Sequence, residues 1–330
     1  MSTISPDNLS ISPRLLYQEA QKRDIKCKIF DKYTLLMKKE AQQWYVRGSR
    51  TSWQSSVGKS LADYKHLTKI VLNHFHIPTA NFVVVRNIRE IKKVNSLKFP
   101  LVGKPTVGNH GDDVVVGIKN ITEAEKYATR LFEHGLKKED EFVLFEEQLR
   151  GKEYRILCID YKFVAASYRK AAFVTGDGKK TIEQLIDEKN SHPWRSKKHL
   201  SPLTSIEIDD LVNSYLEEQG YELTSILNKG KEVGLRKTGN LSTGGEAWNV
   251  TNEVCEKNKK LFEKIATACD LNTVGIDVIC NDLSQPITSQ PHAGVIEVNV
   301  SPGLRMHHYP LQGEPIDAAG KILDMVEKKL

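Results

Sequence analysis

The sequence lacks the features of a secreted, membrane-spanning or fibrous protein. Its 330 residues include five cysteines, an odd number without a Cys-x-x-Cys pair, so neither a disulfide framework nor a zinc knuckle is indicated. No apolar run approaches the roughly 20 residues that a membrane helix requires. Residues 1–14 are polar and contain no hydrophobic signal core. We therefore expect a cytoplasmic protein without a membrane partner.

Positive charge is in moderate excess and is unevenly distributed along the chain. The chain carries 48 basic and 42 acidic residues, a net charge of +6, and residues 1–64 hold eleven basic and six acidic residues, a balance of +5. A basic region attracts nucleic acid, anionic lipid or an acidic small substrate. Its bases are scattered, however, and no RRM, zinc-finger or basic-helix signature accompanies them. We interpret the region as a solvated surface and expect no nucleic-acid partner; a nucleic-acid binder would instead show strongly salt-dependent binding.

Composition and hydrophobic pattern together predict a globular α/β protein. Hydrophobic residues make up 39% and charged residues 27% of the chain, and the length suits about two or three domains. Short apolar segments alternate with amphipathic ones, which indicates strands and helices in succession. We divide the chain into lobes at 1–68, 69–148 and 149–330, the last with a helical insertion at about 181–220. The insertion is either part of a substrate lid or a surface addition.

Two apolar segments near the C-terminus carry oxygen-bearing side chains. In a strand over residues 295–300, Glu297 and Asn299 lie on one face, because alternate residues of a strand share a face. A third such group, Asp277, interrupts an otherwise apolar strand. Three oxygen ligands on neighbouring strands suit Mg²⁺ bound together with nucleotide phosphates. The alternative is that Asp277 and Glu297 are ion-paired structural groups.

Glycine-rich segments supply candidate nucleotide contacts. Lys104 ends an apolar strand and is followed by Gly108 and Gly111, so backbone N–H groups and an ammonium can face phosphate oxygens. A later strand ends in a linker at residues 146–149 that can meet an adenine edge, although an ordinary turn remains the alternative. A P-loop at Gly58-Lys59-Ser60 is excluded, since the first glycine of that motif would fall at Trp53.

In this order and spacing, the segments resemble those of the ATP-grasp carboxylate–amine ligases. The resemblance is closest to the ATP-grasp portion of cyanophycin synthetases and extends to that of bifunctional glutathione synthetases. It runs from about Gly48 to Leu330, and its most specific strings are Gly108-Asn-His-Gly111, Arg236-Lys-Thr-Gly-Asn-Leu-Ser-Thr-Gly-Gly245 and Glu297-Val-Asn299 followed by Pro-Gly-Leu-Arg305. It implies an ATP-grasp fold that holds the nucleotide between two sheet-containing lobes, with a small N-terminal α/β lobe.

The resemblance also implies a role for each set of residues. The residues that it assigns to ATP are Lys65, Lys104, Gly108, Asn109, His110, Gly111, Glu146, Glu147, Leu149 and Glu153. The residues that it assigns to magnesium, as two ions, are Asp277, Glu297 and Asn299. The residues that it places near the transferred phosphoryl group and the tetrahedral intermediate are Arg305, Arg236 and Arg169.

The implied activity is ATP-dependent amide-bond formation. The carboxylate of an amino acid or short peptide is converted to an acylphosphate, an amine attacks it, and ADP and phosphate are released. We expect a stand-alone ligase that makes one kind of amide bond and assembles as a dimer or tetramer. The alternatives are a glutathione-synthetase-like ligase and a catalytically silent nucleotide-binding regulatory protein.

Two further groups of residues bear on the substrate side and on the phosphate loop. Arg50, Ser52 and Ser55 are candidates for binding an amino-acid carboxylate, or are solvated loop residues. Asp112 and Asp113 directly follow the phosphate loop. Their charges would repel ATP unless the carboxylates face away from it or hold a cation.

Overall fold

A computed structural model of the chain describes residues 5–108, 113–136, 140–197 and 201–330. The α-helices are α1 (Ile11–Gln21), α2 (Ser56–Asp63), α3 (Lys65–His74), α4 (Ile121–His134), α5 (Ile182–Asn190), α6 (Asp210–Glu218), α7 (Glu256–Ala268), α8 (Arg305–His308) and α9 (Ala318–Glu327). Short 3₁₀ helices cover Pro6–Asn8, Ile88–Ser96, Leu241–Thr243, Thr251–Glu253 and Ile287–Ser289. Within these described ranges, no helix is long and apolar enough to cross a membrane.

The strands are short and spread over the whole chain. They are β1 (Lys26–Ile29), β2 (Thr34–Lys39), β3 (Gln42–Arg47), β4 (Arg50–Thr51), β5 (Phe82–Val85), β6 (Leu101–Pro105), β7 (Val115–Ile118), β8 (Val143–Glu147), β9 (Lys152–Ile159), β10 (Lys162–Lys170), β11 (Phe173–Thr175), β12 (Arg195–Ser196), β13 (Leu203–Thr204), β14 (Glu232–Gly234), β15 (Glu246–Asn249), β16 (Thr273–Cys280) and β17 (Gly294–Asn299). This mixture of helices and sheets confirms the predicted α/β class.

The chain forms two compact units, each assembled from stretches that are distant in the sequence. Unit 1 comprises Met1–Ser52, Ala165–Thr251 and Gly303–Leu330, and unit 2 comprises Trp53–Val164 and Asn252–Pro302. The division into lobes at 1–68, 69–148 and 149–330 used contiguous segments and stays a prediction.

In unit 1, an antiparallel sheet in the order β1-β2-β3-β4 packs against α1, and α1 packs against α9. The sheet buries alternate residues, because successive side chains of a strand point to opposite faces. Leu35 and Met37 of β2 and Trp44 and Val46 of β3 are buried in this way. The sequence of this sheet therefore places its apolar residues on one face.

The helical segment near residues 181–220 contributes to a core of its own in unit 1. Helices α5 and α6 surround the antiparallel pair β11-β14. Helix α5 begins with a capping box in which Thr181 and Gln184 each accept from the other's backbone N–H. Strand β10 runs from unit 2 into unit 1, where residues 167–170 pair with β15.

Unit 2 contains two antiparallel sheets. The first has the order β5-β8-β6-β7 and is covered by α4 and the 3₁₀ helix Ile88–Ser96, with Leu101, Leu131 and Phe145 in its core. The second places β16 between β9 and β17 and is backed by α7. Strand β16 is almost continuously buried, as is typical of a central strand with both faces covered.

Helix α2 of unit 2 runs through Gly58-Lys59-Ser60, so these residues form no phosphate-binding loop. The helix lies close to the chain after α7. A Cβ atom at Gly58 would meet the backbone carbonyl oxygens of Cys269 and Asp270. Glycine is therefore required at this helical position by a close approach of two backbone segments.

This close approach predicts a reversal of the usual effect of replacing a helical glycine. Alanine ordinarily stabilises a helix interior by about 1 kcal/mol relative to glycine. Because the added methyl group meets backbone, we expect Gly58→Ala to lower the free energy of unfolding by about 1–3 kcal/mol, measured by urea denaturation. The control is Ser60→Ala, an exposed position of the same helix, with a change within about 0.5 kcal/mol. A Gly58→Ala protein as stable as the parent would contradict this packing.

Candidate active site

A buried acidic group lies at the centre of the second sheet of unit 2. Asp277 is directly opposite Arg155 of β9 on one side and Glu297 of β17 on the other. Its carboxylate, in a residue 4% exposed, accepts from Arg155 Nε and, at 2.9 Å, from Nη2, and Asn299 Nδ2 donates to Oδ2 at 3.2 Å. Burial alone would lower the pKa of Arg155, but the Asp277 carboxylate outweighs it and raises that pKa.

The ion pair with Arg155 was not predicted from the sequence, which left open whether Asp277 is a metal ligand or an ion-paired structural group. The structure shows that Asp277 is ion-paired. Glu153 lies two residues before Arg155 on β9, so both side chains leave the same face of that strand. That face also carries Asp277, because residues opposite each other in a sheet share a face.

Lys65 connects the two sheets of unit 2. It is the first residue of α3, and its Nζ donates to the carbonyl oxygen of Gly108, which follows β6, at 2.5 Å. The same Nζ lies 4.0 Å from Oε1 of Glu297, whose side chain is 32% exposed and therefore accessible to a ligand. Burial lowers the pKa of Lys65, and the Glu297 carboxylate opposes that effect.

Of the predicted phosphate loop at residues 108–111, the structure describes only Gly108. Gly108 has a φ of +121°, a conformation that favours glycine. Asn109, His110, Gly111 and Asp112 lie outside the described residues. Beyond them, Asp113 accepts from Arg130 of α4 at 2.9 Å, so this carboxylate has a cationic partner within the first sheet's own layer of helices.

A buried network of three charged residues joins β6, β8 and α3. Glu146 of β8 is 3% exposed, and its oxygens form ion pairs with Lys104 Nζ at 2.5 Å and Lys69 Nζ at 2.6 Å. Burial alone would raise the pKa of Glu146, but the two ammonium groups outweigh it and hold that pKa below its usual value. Both lysines therefore pair with the same buried carboxylate.

Lys69 was missed by the sequence analysis. It donates to Thr79 Oγ1 at 2.8 Å, and that hydroxyl donates to the carbonyl oxygen of Val295 on β17 at 2.8 Å. Lys104 Nζ also points to the carbonyl oxygen of Ile296, at 3.5 Å. The network therefore joins the first sheet to the strand that carries Glu297. One signal was available, since Lys69 lies one helical turn after Lys65 on α3.

The linker after β8 is held by hydrogen bonds at both ends. The carboxylate of Glu147 accepts from the backbone N–H of Lys98 at 3.0 Å and from Asn81 Nδ2 at 3.1 Å. Leu149 is half-buried. At Gly151, with a φ of +136°, a Cβ atom would meet the backbone of residues 280–281. Glycine therefore lets the linker pass close to the end of β16.

Two of the three predicted catalytic arginines have identified partners in unit 1. Arg236 is buried, and its Nη2 donates to Asp209 Oδ2 at 2.7 Å and to the carbonyl oxygen of Glu207 at 3.2 Å. Its Nε is buried and has no acceptor in the part of the chain that the structure describes. Arg169 Nε donates to the carbonyl oxygen of Gly239 at 3.1 Å.

Arg305 begins α8, also in unit 1. Its Nη1 lies 3.5 Å from Thr204 Oγ1, and among the described residues it has no carboxylate partner. Burial lowers the pKa of Arg305. A partly buried guanidinium without a counter-ion favours an anionic ligand.

The proposed carboxylate-binding serines are engaged in local structure. Ser52 Oγ accepts from the backbone N–H of Tyr45 at 2.9 Å in unit 1. Ser55 Oγ caps α2 in unit 2 by accepting from Gly58 at 3.0 Å. Arg50 Nε is buried and lacks an acceptor within the described ranges.

The donor set on β16 and β17 fits magnesium through mixed ligands. Among residues 5–108, 113–136, 140–197 and 201–330, no group of three or more His, Cys, Asp or Glu side chains could hold a metal ion. Asp277, Glu297 and Asn299 offer two carboxylates and one amide, which are the hard oxygen ligands that Mg²⁺ takes. The charge of Asp277 is balanced by Arg155, whereas the carboxylate of Glu297 is partly exposed.

Comparison with known proteins gives related sequences and a related structure, although no family model matches the chain. The chain is 36% identical over 288 residues to cyanophycin synthetase of Geminocystis herdmanii, which covers 87% of this chain and 32% of that protein. It is 30% identical over 327 residues to the glutathione biosynthesis bifunctional protein GshAB of Clostridium perfringens, with 97% of this chain and 41% of that protein covered.

A solved bifunctional glutathione synthetase from Pasteurella multocida is similar in structure. Its TM-score is 0.75 at 28% identity, over 98% of this chain and 44% of that chain. This chain thus spans less than half the length of each of these relatives. The comparisons confirm the predicted resemblance to cyanophycin synthetases and bifunctional glutathione synthetases, and with it the ATP-grasp fold.

The buried network predicts unequal effects for two lysines of α3. Lys69→Met removes the ion-pair partner of Glu146 Oε2 and the donor to Thr79 Oγ1. Because a carboxylate oxygen is then left in the interior without its ammonium partner, we expect the free energy of unfolding to fall by about 3 kcal/mol. The matched control is Lys65→Met, one turn earlier on α3, whose Nζ lies 4.0 Å from Glu297 Oε1. Its loss should stay below about 1 kcal/mol. Urea denaturation of both variants measures the difference, and equal losses would contradict the network.

Proposed function

We propose that the chain is an ATP-dependent ligase that joins the carboxylate of an amino acid or short peptide to an amine. One observation carries the proposal. Lys65 contacts Gly108 after the first sheet and approaches Glu297 on the second, so a cation lies between Gly108 and a carboxylate within unit 2. The similarity to cyanophycin synthetase and GshAB over most of the chain supports it.

In this proposal the nucleotide is held by both sheets of unit 2. Lys65, Lys104 and the loop at 108–111 bind the phosphates, since ammonium and backbone N–H groups suit phosphate oxygens. The linker at 146–149 contacts adenine through its backbone. Glu153, on the face of β9 that carries Arg155, accepts from ribose hydroxyls.

Magnesium is held by Asp277, Glu297 and Asn299, and we propose two ions. When bound, Mg²⁺ neutralises phosphate charge and orients the transferred phosphoryl group. Arg155 fixes the orientation of the Asp277 carboxylate through two hydrogen bonds. Glu297 and Asn299 present their oxygens from the same face of β17.

The reaction needs positive charge and positioning more than covalent chemistry. A substrate carboxylate oxygen attacks the γ-phosphorus, and ADP leaves. The amine then attacks the acylphosphate carbonyl carbon, phosphate leaves, and the nitrogen loses a proton. Arg305, Arg236 and Arg169 are assigned to the anionic groups of these steps. Arg305 suits this role because no carboxylate in the described part of unit 1 neutralises it.

The remaining parts of the proposal rest on the sequence alone. They are a cytoplasmic location and assembly as a homo-oligomer. A glutathione-synthetase-like reaction is a second candidate, which the match to GshAB over 97% of this chain favours. The identity of the product distinguishes the two.

The test is phosphate release from ATP and Mg²⁺ in the presence of single and paired amino acids and dipeptides, with mass spectrometry of the products. We expect one pair to give an amide together with ADP and phosphate. Formation of glutathione from γ-glutamylcysteine and glycine would establish the second candidate. AMP in place of ADP, or no phosphate release by any pair in a folded protein that binds ATP, would contradict the proposal.

The variant Glu297→Ala tests the magnesium assignment in the same assay. The side chain is partly exposed, so we expect an unchanged fold and a loss of turnover of at least about 100-fold. Glu256→Gln, at an exposed carboxylate of α7, is the control and should retain full turnover. Full turnover by a folded Glu297→Ala protein would remove Glu297 from the magnesium site.

A further inference from the structure

Arg195, on the short strand β12 of unit 1, is a buried cation for which the proposed reaction has no direct use. The side chain is 1% exposed. Its Nη1 donates to the carbonyl oxygens of Thr204, at 2.7 Å, and Gly244, at 3.0 Å, and its Nη2 donates to Glu246 Oε1 at 3.1 Å. A single guanidinium thus joins three segments of the chain.

One of these segments is the loop of residues 236–246, here called the Arg236 loop. At its first residue, Arg236 is held by Asp209 and by the carbonyl oxygen of Glu207. At its other end, Gly244 and Glu246 are held by Arg195. The loop is therefore fixed at both ends by arginine side chains.

The backbone of the Arg236 loop depends on close contacts between these ends. Gly244 has a φ of +93°, and a Cβ atom there would meet Ile206. Gly245 N–H donates to the carbonyl oxygen of Asn240 at 3.2 Å, and Asn240 Oδ1 accepts from Ser242 N–H at 2.9 Å. Because the turn packs tightly on the 203–209 segment, a shift at Gly244 would change the position of the whole loop.

The second segment leads to Arg305. Arg195 holds the backbone of Thr204, and the hydroxyl of the same residue lies 3.5 Å from Arg305 Nη1. Thr204 thus lies between the buried guanidinium and the arginine that has no counter-ion in the described part of the chain. Moving Thr204 would also move the contact that orients Arg305.

The charges around Arg195 do not balance. Glu246 is shared with Lys189, whose Nζ lies 2.6 Å from Oε1, so a buried and a partly exposed cation face one buried carboxylate. Such a cluster adds little stability over apolar residues of the same volume. What a guanidinium does add is a rigid fork of donors that can hold several acceptors in fixed directions, which a lysine ammonium cannot do.

We propose that Arg195 is a positioning residue for the substrate side of the ligase reaction. Through Gly244 and Thr204 it fixes the Arg236 loop and the side chain of Arg305. The inference rests on the proposed function for its catalytic consequence, whereas the placement of the loop can be tested without turnover. The proposal also assigns a role to the segment of α5 and β12, because that segment contains both Lys189 and Arg195.

The first experiment measures backbone hydrogen exchange in the full-length protein. In Arg195→Met we expect exchange in residues 239–246 to accelerate at least tenfold, while exchange in β6, β8 and β16 of unit 2 is unchanged. Arg195→Lys should give an intermediate effect, since an ammonium replaces only part of the fork. Arg47→Met, at an exposed ion pair of the β1–β4 sheet, is the control and should leave residues 239–246 unchanged. Unchanged exchange there in a folded Arg195→Met protein would overturn the proposal.

The second experiment uses the substrate pair that supports turnover. We expect Arg195→Lys to raise KM for the carboxylate or amine substrate at least tenfold, and KM for ATP to stay within twofold, because the proposed ATP-binding residues belong to unit 2. A merely structural role would reduce the amount of active protein and leave both KM values unchanged, which would overturn the proposal. If no pair supports turnover in the parent protein, the proposed function fails, and hydrogen exchange alone decides the placement of the loop.

Discussion

A buried carboxylate shared by two lysines is the constraint on which the candidate site depends. Glu146 pairs with Lys69 and Lys104 in the interior of unit 2. Three charges in the interior are costly unless each is paired and hydrogen-bonded, so the positions of α3, β6 and β8 are tightly coupled. The pair of lysines exceeds the carboxylate by one positive charge. That excess favours an anionic ligand such as the phosphates of ATP.

Unit 1 contains a second cluster with the same balance of charge. Glu246 is shared by Lys189 and Arg195, again with two cations for one buried carboxylate. The first cluster contains Lys104, which we propose binds phosphate, and the second contacts the loop that begins with Arg236. In each cluster, a charged residue that we do not assign to the ligand positions one that we do. Glu146 positions Lys104, and Arg195 positions the loop that carries Arg236. Binding groups held in this way have little freedom to lose when a ligand arrives.

Sequence reasoning located the polar positions of the site because they interrupt simple patterns. Glu297 and Asn299 were recognised from the two-residue period of a strand, and Asp277 from its place in an apolar run. The partners of these residues were not predicted, since the pairing of Asp277 with Arg155 depends on the register between strands more than 100 residues apart in the chain. Lys69 was missed for a related reason, because its ion pair with Glu146 depends on which side of α3 faces β8.

The most direct test of this account is the affinity for ATP in the presence of Mg²⁺, measured by calorimetric titration of the parent protein and of Glu146→Gln. The substitution keeps the shape of the side chain and removes the charge that both lysines share. We predict that the parent protein binds one nucleotide per chain. The folded variant should bind it at least tenfold more weakly, because Lys104 loses the group that holds it in place. Equal affinity in the two proteins would contradict the account.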